Sequence, residues 1–421
     1  MDTLDSAMTS SARNDAVLIH FSGHDAPGQT AALTGILAEQ NVRILDIGQA
    51  VVHESLALGI LVEAGADFAT VKAMLIDRAH ALGLQARFKT VPPGSLDHWA
   101  HRRQAQHFII TVLGRAITAR QLARVSGILT RNGINIDRIE RLSGQLVPED
   151  AGANACVELA ASGDPLIETA MRAEFLTVAQ ELSIDIAFQR ESIFRRNRRL
   201  FAFDMDSTLI QGEVIDELAR MAGVGEQVAC ITEAAMRGEL NFDESFTRRV
   251  GLLKGLRAER VFTLLRSIPL ADGAERLIRT LRLLGYKTAI LSGGFTFFAR
   301  ELQERLGVDY VHANELEMDG GEVTGRVSPP IMNGARKAEK LEEIAWAEGF
   351  SLEQCVAVGD GANDIPMLNL AGMGIAYRAK PLVREKADHA ISALGLDGLL
   401  YLVGVRDWDL RTKLPPHEIP R

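Results

Sequence analysis

A short apolar run, Leu200–Phe203, opens onto Asp204-Met205-Asp206-Ser207-Thr208. A buried strand that stops at polar residues is how a parallel sheet delivers side chains to a ligand crevice. Residues two apart on an extended chain point the same way, so Asp204 and Asp206 lie in each other's field. Like charges that close need a cation or a shared proton to coexist. A carboxylate able to attack phosphorus, a neighbouring acid/base and a divalent cation are the equipment for phosphoryl transfer.

Three further clusters fit that chemistry. Ser292-Gly293-Gly294 follows an expected strand at Thr288–Leu291, Lys337 stands near a helix start, and Gly359-Asp360-Gly361-Ala362-Asn363-Asp364 follows an expected strand at Cys355–Val358. Asp204 is the candidate nucleophile and Asp206 the candidate acid/base. Asp204, Asp206 and Asp360 are the candidate Mg²⁺ residues, through carboxylate or backbone carbonyl oxygens; such ligands suit Mn²⁺ as well. Ser292 and Gly293 offer an O–H and an unobstructed N–H to phosphate, and Lys337 a positive charge. Alone, each cluster is more often a turn or a solvated helix charge. In this order, behind buried strands, they converge on one crevice although Asp204 and Asp360 are 156 residues apart.

These residues resemble the motifs of the haloacid dehalogenase-like phosphatases. The resemblance covers about 200–400 and implies a Rossmann-like core, Mg²⁺, an aspartyl-phosphate on Asp204 and acid/base work by Asp206.

Residues 212–270 interrupt the fold after its first strand with mostly helical sequence and are expected to form a cap over the strand ends. Glu213 lies nine residues after Asp204, and Arg249 follows Met236 and Phe242 in the cap. A carboxylate and a guanidinium facing one pocket suit the ammonium and carboxylate of a small α-amino acid bearing a phosphate, while Met236 and Phe242 would exclude water. The competing reading makes Glu213 a helix-terminal charge, Arg249 a solvent-facing one, and Met236 and Phe242 cap core. The run from Ile231 through Asn241-Phe242 to Val250 looks like the cap of phosphoserine phosphatases. That resemblance implies that Glu213 and Arg249 hold O-phospho-L-serine, and that Ser292, Gly293, Lys337 and Asn363 touch phosphate or substrate. Rival readings are a phosphatase or phosphotransferase for a related ester, such as phosphothreonine or homoserine phosphate, and an amino acid sensor with a vestigial phosphatase domain.

The positioning elements follow from periodicity. Region 200–405 interleaves short apolar strands with helices, the pattern of a doubly wound α/β sheet. Regions 15–92 and 107–189 each read β-α-β-β-α-β and align at a shift of 91 residues, Gly23 falling on Gly114 and Asn41 on Asn132. This is a tandem pair of α+β ferredoxin-like units, joined by a linker at Pro92–Ser95. They resemble ACT domains, which implies amino acid binding and pairing. In the first, Gly23, Asp25 and Gly28 flank a helix start that could hold an amino acid effector, or form only a helix-entry turn. The second lacks the Asp and the Pro at that turn and is expected to be structural. A homodimer is expected.

The chain has 421 residues, is 47% hydrophobic, and carries a net charge of −9. Such a balance argues against nucleic acid as a partner. Three scattered cysteines fit reduced thiols and a cytoplasmic protein, and no apolar run reaches membrane-spanning length. Residues 1–14 and 406–421 read as tails. The basic run Arg190, Arg195, Arg196, Arg198 and Arg199 reads as a solvated linker or strand edge rather than an anion patch.

Overall fold

The computed structural model describes residues 16–65, 67–92, 105–144, 154–165, 167–265 and 267–411. The expected tail at 1–14, most of the linker and residues 412–421 lie outside them. The chain divides into two compact units, Met1–Ala105 and Gln106–Arg421.

The first unit is β1 (Ala16–His24), α1 (Gln29–Glu39), β2 (Ile44–Val52), β3 (Ser55–Glu63), α2 (Phe68–Ala81) and β4 (Leu84–Val91), an antiparallel sheet in the order β2-β3-β1-β4. Val17, Ile19 and Phe21 alternate onto one face and meet Leu33, Leu37, Val71 and Leu75 of the helices. The intervening His20 and Ser22 are exposed, as a sheet covered on one face requires.

The second unit begins with the repeat: β5 (His107–Gly114), α3 (Ala119–Arg131), β6 (Asn135–Arg141), β7 (Ala155–Ser162), α4 (Glu168–Leu182) and β8 (Asp185–Arg190), in the order β6-β7-β5-β8. Here the two repeats diverge. Phe108 to Gly114 are all buried. Phe108, Ile110 and Val112 pack under the helices, whereas Leu113, Leu142, Cys156 and Ala187 join the core of the following α/β layer. A strand buried on both faces reads as a continuous apolar run, which is the difference between HFIITVLG and AVLIHFSGH.

The α/β layer is a six-stranded parallel sheet in the order β11-β10-β9-β14-β15-β16. It comprises β9 (Leu200–Phe203), β10 (Lys287–Phe295), β11 (Tyr310–Asn314), β14 (Cys355–Gly359), β15 (Met373–Tyr377) and β16 (His389–Ile391). The cap after β9 holds α5 (Val214–Ala222), α6 (Gly225–Met236), α7 (Phe242–Gly251) and α8 (Ala258–Leu264). The sheet is flanked by α9 (Ala274–Leu283), α10 (Thr296–Leu306), α11 (Gly334–Ala347), α12 (Ile365–Leu370), α13 (Pro381–Lys386), α14 (Leu399–Leu402) and α15 (Asp407–Arg411). A hairpin of β12 (Leu316–Asp319) and β13 (Glu322–Val327) packs against α7. The sequence reading does not anticipate it, although Gly320 and Gly321 at φ 56° and 81° are a hairpin-turn signal.

Two expectations are corrected. Arg195 and Arg198 are buried, not solvated: Arg195 is ion-paired to the buried Glu158, and Arg198 donates to the Glu353 carbonyl. The run thus ties the second repeat to the α/β layer, with Arg196 and Arg199 exposed. Nor is the start of the C-terminal stretch a frayed tail. Asp407 opens α15, and its carboxylate accepts from Gly144 N–H at 2.6 Å and Tyr401 O–H at 2.9 Å. No helix among the described residues is long and apolar enough to cross a membrane.

Candidate active site

β9 lies between β10 and β14, so the loops that follow these three strands share one crevice. Asp204 continues β9, its N–H donating to the Val358 carbonyl at 2.9 Å. Asp204 Oδ1 accepts from Met205 N–H at 2.8 Å and lies 2.8 Å from Lys337 Nζ. Lys337 is fully buried on the first turns of α11 and lies 2.7 Å from Asp364 Oδ1. Asp364 Oδ2 accepts Gly361 N–H at 2.9 Å, which fixes the loop after β14.

Carboxylate oxygens of Asp204, Asp360 and Asp364 lie within 4.8 Å of one another. Burial, then the Asp364 charge, raises the Asp204 pKa well above the usual range, with Lys337 opposing. Burial and the charges of Asp364 and Glu213 push Asp360 up to about 7. Burial acts to lower the Lys337 pKa, but Asp204 and Asp364 outweigh it and raise it. Three converging hard oxygens are a donor set that fits a divalent cation, which would offset their mutual repulsion.

The sequence reading counted Asp206 among the metal residues and passed over Asp364. The Asp206 carboxylate is not among the converging carboxylates, which leaves its backbone carbonyl as the oxygen it could offer a cation. Its Oδ1 instead accepts Val214 N–H at 2.9 Å, capping α5 where the chain enters the cap. Burial, then the Glu213 charge, raises the Asp206 pKa well above the usual range, the protonated state that a general acid needs. The signal for Asp364 lay in its spacing: four residues after Asp360, in the same loop.

Ser292, Gly293 and Gly294 sit where the pairing of β10 with β11 shifts register between Leu291 and Phe295. The strand therefore runs past its expected end at Leu291. Ser292 is buried, its Oγ accepting Gly294 N–H at 2.9 Å. A Cβ on Gly294 would fall 2.4 Å from Asp206 Oδ2, and one on Gly293 would fall 2.9 Å from the Phe242 ring. Only glycine lets the cap's Phe242 and the acid approach this closely. Asn314, unanticipated, pins the segment by donating to the Gly293 carbonyl at 2.8 Å and accepting Met332 N–H at 2.7 Å. Asn363 approaches from the other side, its amide nitrogen 3.6 Å from where a Gly293 Cβ would stand.

In the cap, Glu213 holds the N-cap position of α5 but makes no capping bond. Its Oε1 accepts from Ser207 Oγ at 3.1 Å. Its side chain reaches solvent, yet desolvation by the surrounding protein raises its pKa, with Ser207 and Arg249 opposing. Arg249 is half-buried, and its Nε is buried without a hydrogen-bond partner. Burial lowers its pKa and Glu213 opposes. Phe242 is half-buried, stacked on Phe246 with ring centroids 5.7 Å apart. Met236 ends α6 and is 60% exposed, so of the pair expected to exclude water only Phe242 is in position.

The candidate effector turn is closed on itself. Gly28, at φ 87°, precedes α1, and the buried Gln29 side chain accepts Ala26 N–H at 3.0 Å and donates to the His24 carbonyl at 3.0 Å. Asp25 N–H donates to Glu54, and a Cβ on Gly23 would stand 2.8 Å from the Gly83 carbonyl. Two N–H groups of this turn, those of Asp25 and Ala26, are thereby already engaged.

Residues 201–369 match the family described as haloacid dehalogenase-like hydrolase, and residues 15–89 and 105–189 each match an ACT domain. The chain is 42% identical to a phosphoserine phosphatase of Mycobacterium tuberculosis over 93% of both chains. It is also 42% identical to a phosphoserine phosphatase of Streptomyces coelicolor, over 92% of both. A solved haloacid dehalogenase family hydrolase from Salmonella enterica serovar Typhi is similar with TM-score 0.61 at 31% identity, covering 70% of this chain and 99% of that one.

Proposed function

This chain belongs to the phosphoserine phosphatase family of haloacid dehalogenase-like hydrolases, and from that membership and the site we propose that it hydrolyses O-phospho-L-serine to L-serine and phosphate with Mg²⁺. In metabolism this reaction is the last step of serine biosynthesis. The observation that carries the substrate reading is the buried, unpartnered Arg249 Nε in a cap that also presents Glu213. Leaving such a nitrogen unsatisfied is costly unless a ligand anion meets it. Arg249 takes the substrate carboxylate and Glu213 its ammonium.

Ser292 Oγ, Gly293 N–H, Lys337 and Asn363 hold the phosphate oxygens. Asp204 attacks phosphorus in line while the bond to the serine oxygen breaks, and Asp206 gives that oxygen its proton. Asp206 then takes a proton from water, whose oxygen attacks the aspartyl-phosphate, releasing phosphate and restoring Asp204. Asp204, Asp360 and Asp364 would hold Mg²⁺, which would neutralise the phosphate and carboxylate charge. Phe242 closes the site against water.

We extend the reading to the whole chain. The domains are 15–92, 107–189 and 200–405, the last carried on to 411 by α15. An amino acid bound to the ACT domains regulates turnover, the protein is cytoplasmic, and it self-associates as a homodimer through surfaces such as the exposed Ile47 and Val51 of β2. Size and mass measured in solution test the last point.

The deciding experiment is phosphate release from L-phosphoserine with and without Mg²⁺, beside phosphothreonine, homoserine phosphate and a sugar phosphate. Preference for phosphoserine and dependence on Mg²⁺ are expected; equal turnover of all four overturns the substrate. Asp204→Asn is expected to abolish turnover, and wild-type protein that binds serine but hydrolyses nothing would make it a sensor.

A further inference from the structure

Away from the Asp204 crevice, a cleft of about 880 Å³ opens between the second ferredoxin-like repeat and the edge of the parallel sheet. Its volume falls in the range of small-molecule sites, about 300–1,000 Å³. One wall is α4 and β8 and is mainly apolar, with Leu176, Ile184 and Ile186 among its residues. The other wall is α13 and β16 and carries two polar groups that nothing among the described residues satisfies.

The first is Arg384 on α13. It is half-buried, its Nε is buried without a partner, and it makes no hydrogen bond or ion pair among the described residues. The second is His389 on β16. It is 7% exposed, and its buried Nδ1 has no hydrogen-bond partner. Burial pushes the imidazole down to about 4, so the ring is neutral near neutral pH and can donate one N–H. Of the carboxylates around the cleft, Asp185 is already taken by the N–H groups of Ser392 and Ala393 at 2.7 and 2.9 Å. Asp388 accepts Gly374 N–H at 3.0 Å, and Glu385 lies on the exposed rim. Of the other two arginines lining the cleft, Arg172 is paired with Glu168 at 3.0 Å, and Arg115 donates to the Asn154 side chain at 3.3 Å.

We propose that this cleft is a binding site for a small molecule that joins an apolar body to a single acid group, the acid meeting Arg384 and His389 and the body lying on α4 and β8. A guanidinium and a neutral N–H donor lining one cleft suit a carboxylate. The apolar wall supplies area burial. The second repeat is then half of a ligand site shared with the phosphatase domain, not a structural partner only.

The probe is 3-phenylpropanoate, titrated calorimetrically into the full-length protein, with 3-phenylpropan-1-ol as its uncharged counterpart. Saturable binding of the acid is expected, with the alcohol at least about tenfold weaker, as loss of a charge-assisted hydrogen bond gives. Arg384→Gln should weaken the acid about tenfold and leave the alcohol unchanged. Ala173→Trp, which fills the cleft from α4, should abolish both. Absence of saturation with the acid, equal affinity for the alcohol, or undiminished binding by either variant overturns the proposal. Binding is read without turnover, so the result stands or falls separately from the phosphoserine assignment.

Discussion

Asn333 Nδ2 donates to both carboxylate oxygens of Asp243, at 3.1 and 3.2 Å. The same side chain caps α11, its Oδ1 accepting Arg336 N–H at 3.1 Å. One amide therefore joins the first turn of cap helix α7 to the start of the helix that carries Lys337. Closure of the cap and placement of the phosphate-side cation are mechanically linked.

Asn333→Ala is expected to lose the cap of α11, about 1 kcal/mol, and the tie to Asp243. Asp243→Ala removes only the tie. Both should raise KM for phosphoserine, and only Asn333→Ala should also lower the melting temperature. Steady-state kinetics beside thermal unfolding separate the two effects; an unchanged KM in both variants would show that the contact does not govern closure.

Lys337 sits between two carboxylates in a dry site. Lys337→Met leaves Asp204 and Asp364 facing each other without their cation, and breaking a buried pair costs about 3–5 kcal/mol. Turnover should fall by at least about a hundredfold, the scale on which a single transition-state donor acts. Lys337→Arg should not rescue it, since the planar fork cannot replace a point charge in a fully enclosed slot. Recovery of near-normal kcat in the Arg variant would contradict this geometry.

Asp364 and Asp206 make opposite predictions for metal. Asp364→Asn should raise the Mg²⁺ concentration needed for half-maximal activity by an order of magnitude or more, the scale of losing a supporting metal contact. Asp206→Asn should leave Mg²⁺ binding, followed by calorimetry, nearly intact while turnover collapses. Equal weakening of Mg²⁺ binding in both variants would make the Asp206 carboxylate a metal ligand.

Asp185 ties β8 to the segment after β16. Burial raises its pKa from 3.8 to about 6, against the N–H groups of Ser392 and Ala393. A carboxyl raised on folding binds its proton more tightly in the native state, so its contribution is fully present below about pH 4 and is lost as pH rises through about 6. Asp185→Asn does not titrate. The wild-type melting temperature, measured relative to that variant, should therefore fall between pH 4 and pH 7. A difference independent of pH over that window would mean that Asp185 ionises normally.

Much of this protein was legible along the chain. The apolar run before Asp204, the glycine loops around Ser292 and Asp360, and both β-α-β-β-α-β repeats are local patterns, set by strand and helix periodicity and by turn chemistry. The three strands expected in the α/β region, at Leu200–Phe203, Thr288–Leu291 and Cys355–Val358, are observed within a residue of those bounds, apart from the extension of β10 through Phe295.

Tertiary structure decided which groups meet. Asp364 rather than Asp206 joins the acid cluster because the order β10-β9-β14 aims two loops at one point, while α5 claims the Asp206 carboxylate as its cap. Arg195 and Arg198 are inside because Glu158 and the Glu353 carbonyl, distant in sequence, fold onto them. In the second repeat β5 reads as a continuous apolar strand because that repeat gives its other sheet face to the α/β core. A charge or an apolar face is a local property; its burial depends on what long-range packing brings against it, and periodicity carries no record of that.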